Sequence, residues 1–225
     1  MRKTVFANDE YYHIYNRGTD KRTIFSDDED LNRFLQSMVE FNATDPIGSL
    51  YQNSFRKKTQ LSGLASKHEQ EEKENLVAIV AYCLNPNHYH FILKQISERG
   101  IERYMHRLGT GYTRYFNEKN ERTGSLFQGT FKSIHIDSNE YLLHVSAYVN
   151  LNDRVHQLDK LSGLASKSSW EEYVENKRSG MLCEKDVILG QFRNSLEYRE
   201  FAKNSLQGTL ERRGLLTEEY LIEND

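Results

Sequence analysis

Leu31, Phe34, Leu35, Met38 and Phe41 recur at intervals of three and four, which lines them along one stripe of a helix and leaves its other side to water. Ser26-Asp27-Asp28-Glu29 just ahead of them reads as the N-terminus of that helix. Upstream, Tyr11 to Asn16 (YYHIYN) has the composition of a strand and ends in the turn signal Arg17-Gly18. Residues 43–75 hold Pro46, Gly48, Gly63 and the charged run KHEQEEKE without a sustained apolar period, and are expected to form an exposed insertion with little core. Leu76 to Leu84 (LVAIVAYCL) is the most apolar and β-branched stretch. The turn Asn85-Pro86-Asn87 separates it from a second strand-like run, HYHFILK, so the two predict an antiparallel pair at the sheet centre. Further on, 97–119 reads as a helix, 125–136 as a short strand or two around Gly129, and 139–151 as a helix.

The order β, α, β, β, α, β, α fits an α+β domain: a ferredoxin-like antiparallel sheet with helices mainly on one face. That domain is expected over residues 1–155, followed by a C-terminal extension of short helices over 156–225. A chain of 225 residues suits one well-buried core with peripheral additions.

Composition narrows the function. With 37% hydrophobic and 28% charged residues and a mean hydropathy of -0.76, the chain reads as soluble. No apolar run approaches the roughly 20 residues of a membrane helix, and the start MRKTVFANDE lacks the apolar stretch of a signal peptide, so a cytoplasmic protein is expected. Cys83 and Cys183 show no CxxC spacing and read as reduced thiols. A net charge of -3 and a pI near 6.3 argue against nonspecific coating of nucleic acid, so any DNA contact must be local. From Lys94 to Lys132, eight Lys and Arg stand against four Glu, interleaved with Tyr104, Tyr112, Tyr115, Phe116, Phe127 and Phe131. Cations beside rings are what a single-strand binder uses, although an amphipathic helix with a solvated basic face has the same composition.

The heptapeptide LSGLASK occurs at 61–67 and again, unchanged, at 161–167. The copies are too short and too far apart for a solenoid. Codons for this peptide can be chosen as a nearly perfect inverted repeat, so translated insertions of a mobile hairpin are the expected origin. Unrelated third codon positions in the two copies would refute it.

In His88-Tyr89-His90 two imidazoles stand two apart on a predicted strand, hence on one face. They can share a divalent ion, given a third donor, but ordinary surface or core histidines have the same spacing. Tyr148 and Asn152 lie four apart in the helical stretch, about one turn from each other. A phenol can attack and a carboxamide oxygen can ligate; packing and capping are the alternative. Tyr112, Tyr115 and Tyr141 have Phe116, Lys119 and Val145 at the same offset, none suited to an oxygen-ligand role.

These residues resemble the REP-associated tyrosine transposases, within the single-tyrosine HUH transposase superfamily. The likeness includes HIYNRG at 13–18, LNPNHYHFIL at 84–93, YTRYFNEKNERTGSLFQGTFKS at 112–133, EYLLHVSAYVNLN at 140–152 and SSWEEY at 168–173. The resemblance implies that His88 and His90 are the HUH pair, Asn152 the third metal ligand and Tyr148 the nucleophile. It implies an enzyme using Mg2+ or Mn2+ that cleaves and rejoins single-stranded hairpin DNA through a 5′-phosphotyrosine link. Arg114, Arg122 and Lys132 are the candidate phosphate contacts, with Tyr112, Tyr115 or Phe127 stacking on unpaired bases, in a monomer or homodimer. Two positions depart from the pattern: Thr130 stands where the family has Arg, and Asp153 where it has Pro. A noncatalytic hairpin-binding regulator of the same fold is the competing reading, and it would tolerate loss of His90 or Tyr148. A replication initiator or relaxase would need an attached helicase or partner domain.

Overall fold

The computed structural model describes residues 4–48, 50, 74–155, 166–175 and 182–215. Strand β1 (Tyr11–Arg17) and helix α1 (Asp28–Glu40) come first. Strands β2 (Val77–Asn85) and β3 (His88–Gln95) follow, then α2 (Gly100–Lys119), β4 (Lys132–Ile136) and α3 (Asn139–Asn150). The chain continues through α4 (Asn152–Val155), β5 (Lys167–Ser168), α5 (Trp170–Val174), α6 (Asp186–Leu189) and α7 (Ser195–Leu215). The strands form one sheet in the order β4-β1-β3-β2-β5, every neighbouring pair antiparallel. Its first four members give the ferredoxin-like arrangement, and β5 adds an edge.

Helices cover both faces of this sheet rather than mainly one. Tyr12, Ile14, Phe91 and Leu93 join Phe34 of α1 and Tyr104 and Leu108 of α2 in one core. On the reverse face Ile92, Cys83 and Ile136 join Leu142, Val145 and Val149 of α3 and Ile188, Tyr198 and Ala202 from the C-terminal helices. The unbroken hydrophobic run of β2 follows from this, because every residue of that strand is buried between two covered faces. The extension is therefore half of a layer, and it includes a 21-residue helix instead of only short ones. Tyr198, Phe201, Ala202 and Leu206 set its packed stripe.

Residues 43–48 and 50 are less exposed than expected, since Ala43, Ile47 and Leu50 are buried. The base of the insertion is closed by Asn42, whose carboxamide accepts from Leu76 N and Val77 N and donates to Val77 O. The remainder of the insertion and the first LSGLASK copy lie outside the described residues, as do the first five residues of the second. The last residue of that second copy, Lys167, opens β5. Among the described residues no helix is long and apolar enough to cross a membrane.

Candidate active site

The two histidines reach one face because side chains alternate along a strand. Phe91 and Leu93 point into the α1–α2 core, so His88, His90 and Ile92 face α3. Across the ladder His90 pairs with Tyr15 of β1, placing His13 and Tyr15 on the same face beside it. On β2 the two-residue turn Pro86-Asn87 sets Asn85 opposite His88 and so on that face, with Cys83 and Ala81, while a register shift between Ile79 and Ala81 turns Ile79 and Val77 to the α1–α2 core.

Helix α3 is capped by Ser138, whose hydroxyl accepts from Tyr141 N. Leu142, Val145 and Val149 seat it against the sheet. Two residues along a strand span about 6.6 Å, and four residues along a helix about 6 Å, so Tyr148 meets His90 while Asn152 meets His88. The Tyr148 ring stands edge-on to His90 with centroids 5.6 Å apart, and to His13 at 6.1 Å. Asn152 Oδ1 lies 3.1 Å from His88 Nε2. One detail departs from the expected continuous helix: α3 ends at a cap on Leu151, and Asn152 opens the separate short helix α4. The break leaves both side chains on the histidine side.

His90 is 1% exposed and its Nδ1 shares a 2.9 Å hydrogen bond with Nε2 of the equally buried His13. His88 Nδ1 lies 2.6 Å from Asn87 Oδ1. A carboxamide oxygen can only accept, so Nδ1 carries the proton and Nε2 presents a lone pair. That lone pair faces the oxygen of Asn152, also an acceptor, across 3.1 Å. Asn152 is wholly buried, and its Nδ2 has no hydrogen-bond partner among the described residues, an arrangement that costs about 1–3 kcal/mol elsewhere in a fold. Among the described residues no three His, Cys, Asp or Glu side chains could hold a metal ion together. A donor set here needs the Asn152 carboxamide.

The candidate DNA contacts separate into three groups. Lys132 is exposed and pairs with Tyr15, in the same ladder row as His90. Arg114 is exposed on α2 and lines an open groove of about 1050 Å³ on the opposite face of the sheet. Arg122 is taken up locally, by Asn117 Oδ1 at 2.6 Å and Ser125 O at 3.1 Å. Tyr115 is half-buried, its hydroxyl on Asp30 and its ring under Arg33. Tyr112 and Phe127 are 0% and 7% exposed and belong to the aromatic core, with Phe127 also reaching the lining of that groove. The alternation of rings and cations in this segment reflects a helix with one packed side, the alternative that composition left open.

His13, Tyr15 and Asn85 escaped the sequence reading as site residues, although all three lie inside motifs singled out there. The register of β1 against β3 is the missing information. Once Tyr15 is set opposite His90, period two puts His13 on the same face.

An antiparallel α+β sheet thus carries a His-Tyr-His strand beneath a tyrosine-bearing helix. Residues 49–152, which hold both histidines, Tyr148 and Asn152, match the family described as "Transposase IS200 like". Over these residues the chain is similar to the IS200-like transposases. Among solved structures, a REP-associated tyrosine transposase bound to a REP hairpin is similar at 12% identity, over 78% of this chain and 86% of that one, with a TM-score of 0.48. No curated protein matches the chain in sequence.

Proposed function

We propose that this chain cuts and rejoins single-stranded DNA next to a hairpin, using Tyr148 as the nucleophile. The observation that carries the reading is the convergence of Tyr148 on His90, with ring centroids 5.6 Å apart, while Asn152 Oδ1 meets His88 Nε2 at 3.1 Å. The phenolic oxygen attacks a backbone phosphorus and the bond to the 3′ oxygen breaks. A 5′-phosphotyrosine link forms, the phenol releases its proton, and the departing 3′ oxygen takes one up. Because an ester replaces an ester, an incoming 3′ hydroxyl reverses the step without ATP.

The donor set fits a divalent cation: a neutral imidazole nitrogen and a carboxamide oxygen with facing lone pairs, and a second imidazole whose Nδ1 is already engaged by His13. His88 and His90 through Nε2, with Asn152 through Oδ1, would hold it. When bound there, Mg2+ or Mn2+ supplies Lewis acidity and a template for the scissile phosphate. The protein's own contribution is positional, as the buried His13 fixes the orientation of His90 and Asn87 fixes the tautomer of His88.

Hairpin DNA suits the groove along α2, where Arg103, His106 and Arg114 line one wall and Asn16, Tyr89 and Thr130 lie opposite or beneath. Asn16 pairs with Tyr89 one step from the pair Arg17–His88, so groove and active site occupy the two faces of the same sheet end. The segment 125–131 leads around the β4 edge from one to the other. A phosphate backbone held by α2 thereby delivers an unpaired strand past Lys132 to Tyr148.

The test is incubation of wild type and Tyr148→Phe with labelled hairpin DNA and Mn2+. A covalent adduct stable to denaturation is expected from wild type alone. Equal adduct from both proteins removes Tyr148 from the role, and hairpin binding without any adduct favours a noncatalytic regulator.

A further inference from the structure

We infer that Asn85, the last residue of β2, is a positioning residue that holds the two ligand atoms of His88 and Asn152 converging on one point. The inference rests on the metal reading given above. Asn85 is 0% exposed. Its Nδ2 donates to Asn152 Oδ1 at 2.6 Å and stands 2.9 Å from His88 Nε2, two atoms that are themselves 3.1 Å apart. A carboxamide nitrogen carries two hydrogens, and this one presents them to two acceptors that would otherwise repel. The orientation of the amide is fixed from behind, because its Oδ1 accepts from the Cys83 thiol at 3.5 Å.

The same placement works when a cation is present. The carboxamide oxygen of Asn152 has two lone pairs, so it can keep the Asn85 hydrogen bond on one and ligate with the other. Only the contact with His88 Nε2 has to be given up. Asn85 thus presents the lone pairs before the ion arrives and aims the oxygen ligand afterwards. Its own position follows from the two-residue turn Pro86-Asn87, which pairs it with His88 and sets both on one face of the sheet.

The experiment titrates Mn2+ into the full chain without DNA, following free Mn2+ by electron paramagnetic resonance, for wild type, Asn85→Ala and Asn85→Asp. Asn85→Ala is expected to weaken binding about 10- to 100-fold, the effect typical of outer-sphere partners of metal ligands. Asn85→Asp is expected to bind more tightly than wild type, since a carboxylate oxygen beside both ligand atoms becomes a ligand itself. Opposite directions at one position are not produced by a packing role. An Asn85→Ala variant that binds as wild type does, or a fall of similar size in both variants, overturns the inference while leaving the metal reading in place. Should Asn85→Ala fail to fold, the near-isosteric Asn85→Asp decides alone: tighter binding upholds the inference, equal or weaker binding overturns it. Absence of Mn2+ binding by wild type overturns the metal reading and this inference with it.

Discussion

Tyr112 shows how burial reassigns a residue. Its hydroxyl donates to Ile24 O at 2.6 Å and its ring meets Phe34 edge-on at 4.8 Å, so the side chain ties the loop ahead of α1 to α2. Tyr112→Phe should leave that carbonyl without a partner and cost about 1–2 kcal/mol of stability, with hairpin affinity unchanged. Arg114, exposed in the groove on the side of α2 away from Tyr112 and Phe116, should behave in the opposite way. Arg114→Ala is expected to keep the melting temperature while weakening hairpin binding and flattening its salt dependence by about one phosphate contact. Fluorescence anisotropy at several salt concentrations, run beside thermal melts, checks both halves. Loss of affinity in Tyr112→Phe without loss of stability would return that ring to the DNA surface.

At the scale of elements, the turn Asn85-Pro86-Asn87 is held in place by the segment after β1. Gly18 N donates to Asn87 O at 2.8 Å, and Ile24 N and Phe25 N both donate to Pro86 O, at 2.7 and 3.0 Å. Gly18 lets the chains pass this closely: a Cβ there would lie 2.2 Å from the backbone oxygen of Arg22 and 2.9 Å from Ile24 Cγ2. Gly18→Ala should therefore displace the turn that presents Asn85 and His88, costing about 2 kcal/mol or more and lowering the melting temperature by several degrees. Mn2+ affinity should fall with it; a variant with wild-type stability and affinity would show that the segment yields freely. The β2–β3 hairpin and the helix carrying Tyr148 were legible from period and turn chemistry, because both elements are amphipathic or continuously apolar over their full length. What escaped was register. The bulge at Ile79–Ala81 leaves no mark in LVAIVAYCL, where every residue is apolar and no face is distinguished, so which residues of β2 share the face of Asn85 and His88 could not be read. Helix α7 was hidden for a related reason: it is polar over much of its surface, and only a narrow stripe through Tyr198 and Ala202 is packed.

For the molecule as a whole, the two halves of the chain are joined through a buried polar network rather than through apolar contact alone. Tyr198 of α7 accepts from Asn150 Nδ2 at 2.8 Å and shares a hydrogen bond with Ser146 Oγ at 3.2 Å. Ser169 donates to Asn150 Oδ1 at 2.5 Å and accepts from Tyr82 N at 2.9 Å. Helix α3, which carries Tyr148, is thus locked to β2 on one side and to the C-terminal helix on the other. Burial pushes the Tyr198 phenol up to about 12, and desolvation likewise raises Tyr82, Tyr89, Tyr104, Tyr112 and Tyr173 above the ordinary value near 10. The folded state therefore holds protons that the unfolded chain releases. Below pH 10 both states carry neutral phenols and the contribution is complete; as pH climbs from 10 through 12, unfolding releases protons and stability is lost. Tyr198→Phe separates this from the hydrogen bonds. At neutral pH it should be less stable than wild type by about 1–3 kcal/mol, since Asn150 loses its acceptor. It should also lose less on going to pH 12, because one raised phenol is gone, a difference on the order of 1–3 kcal/mol. Urea unfolding at pH 7, 10 and 11.5 should find the gap between the two proteins closing as the pH rises. A gap of constant size would mean that Tyr198 ionises alike in the folded and unfolded chains, and that the network around it is open to water.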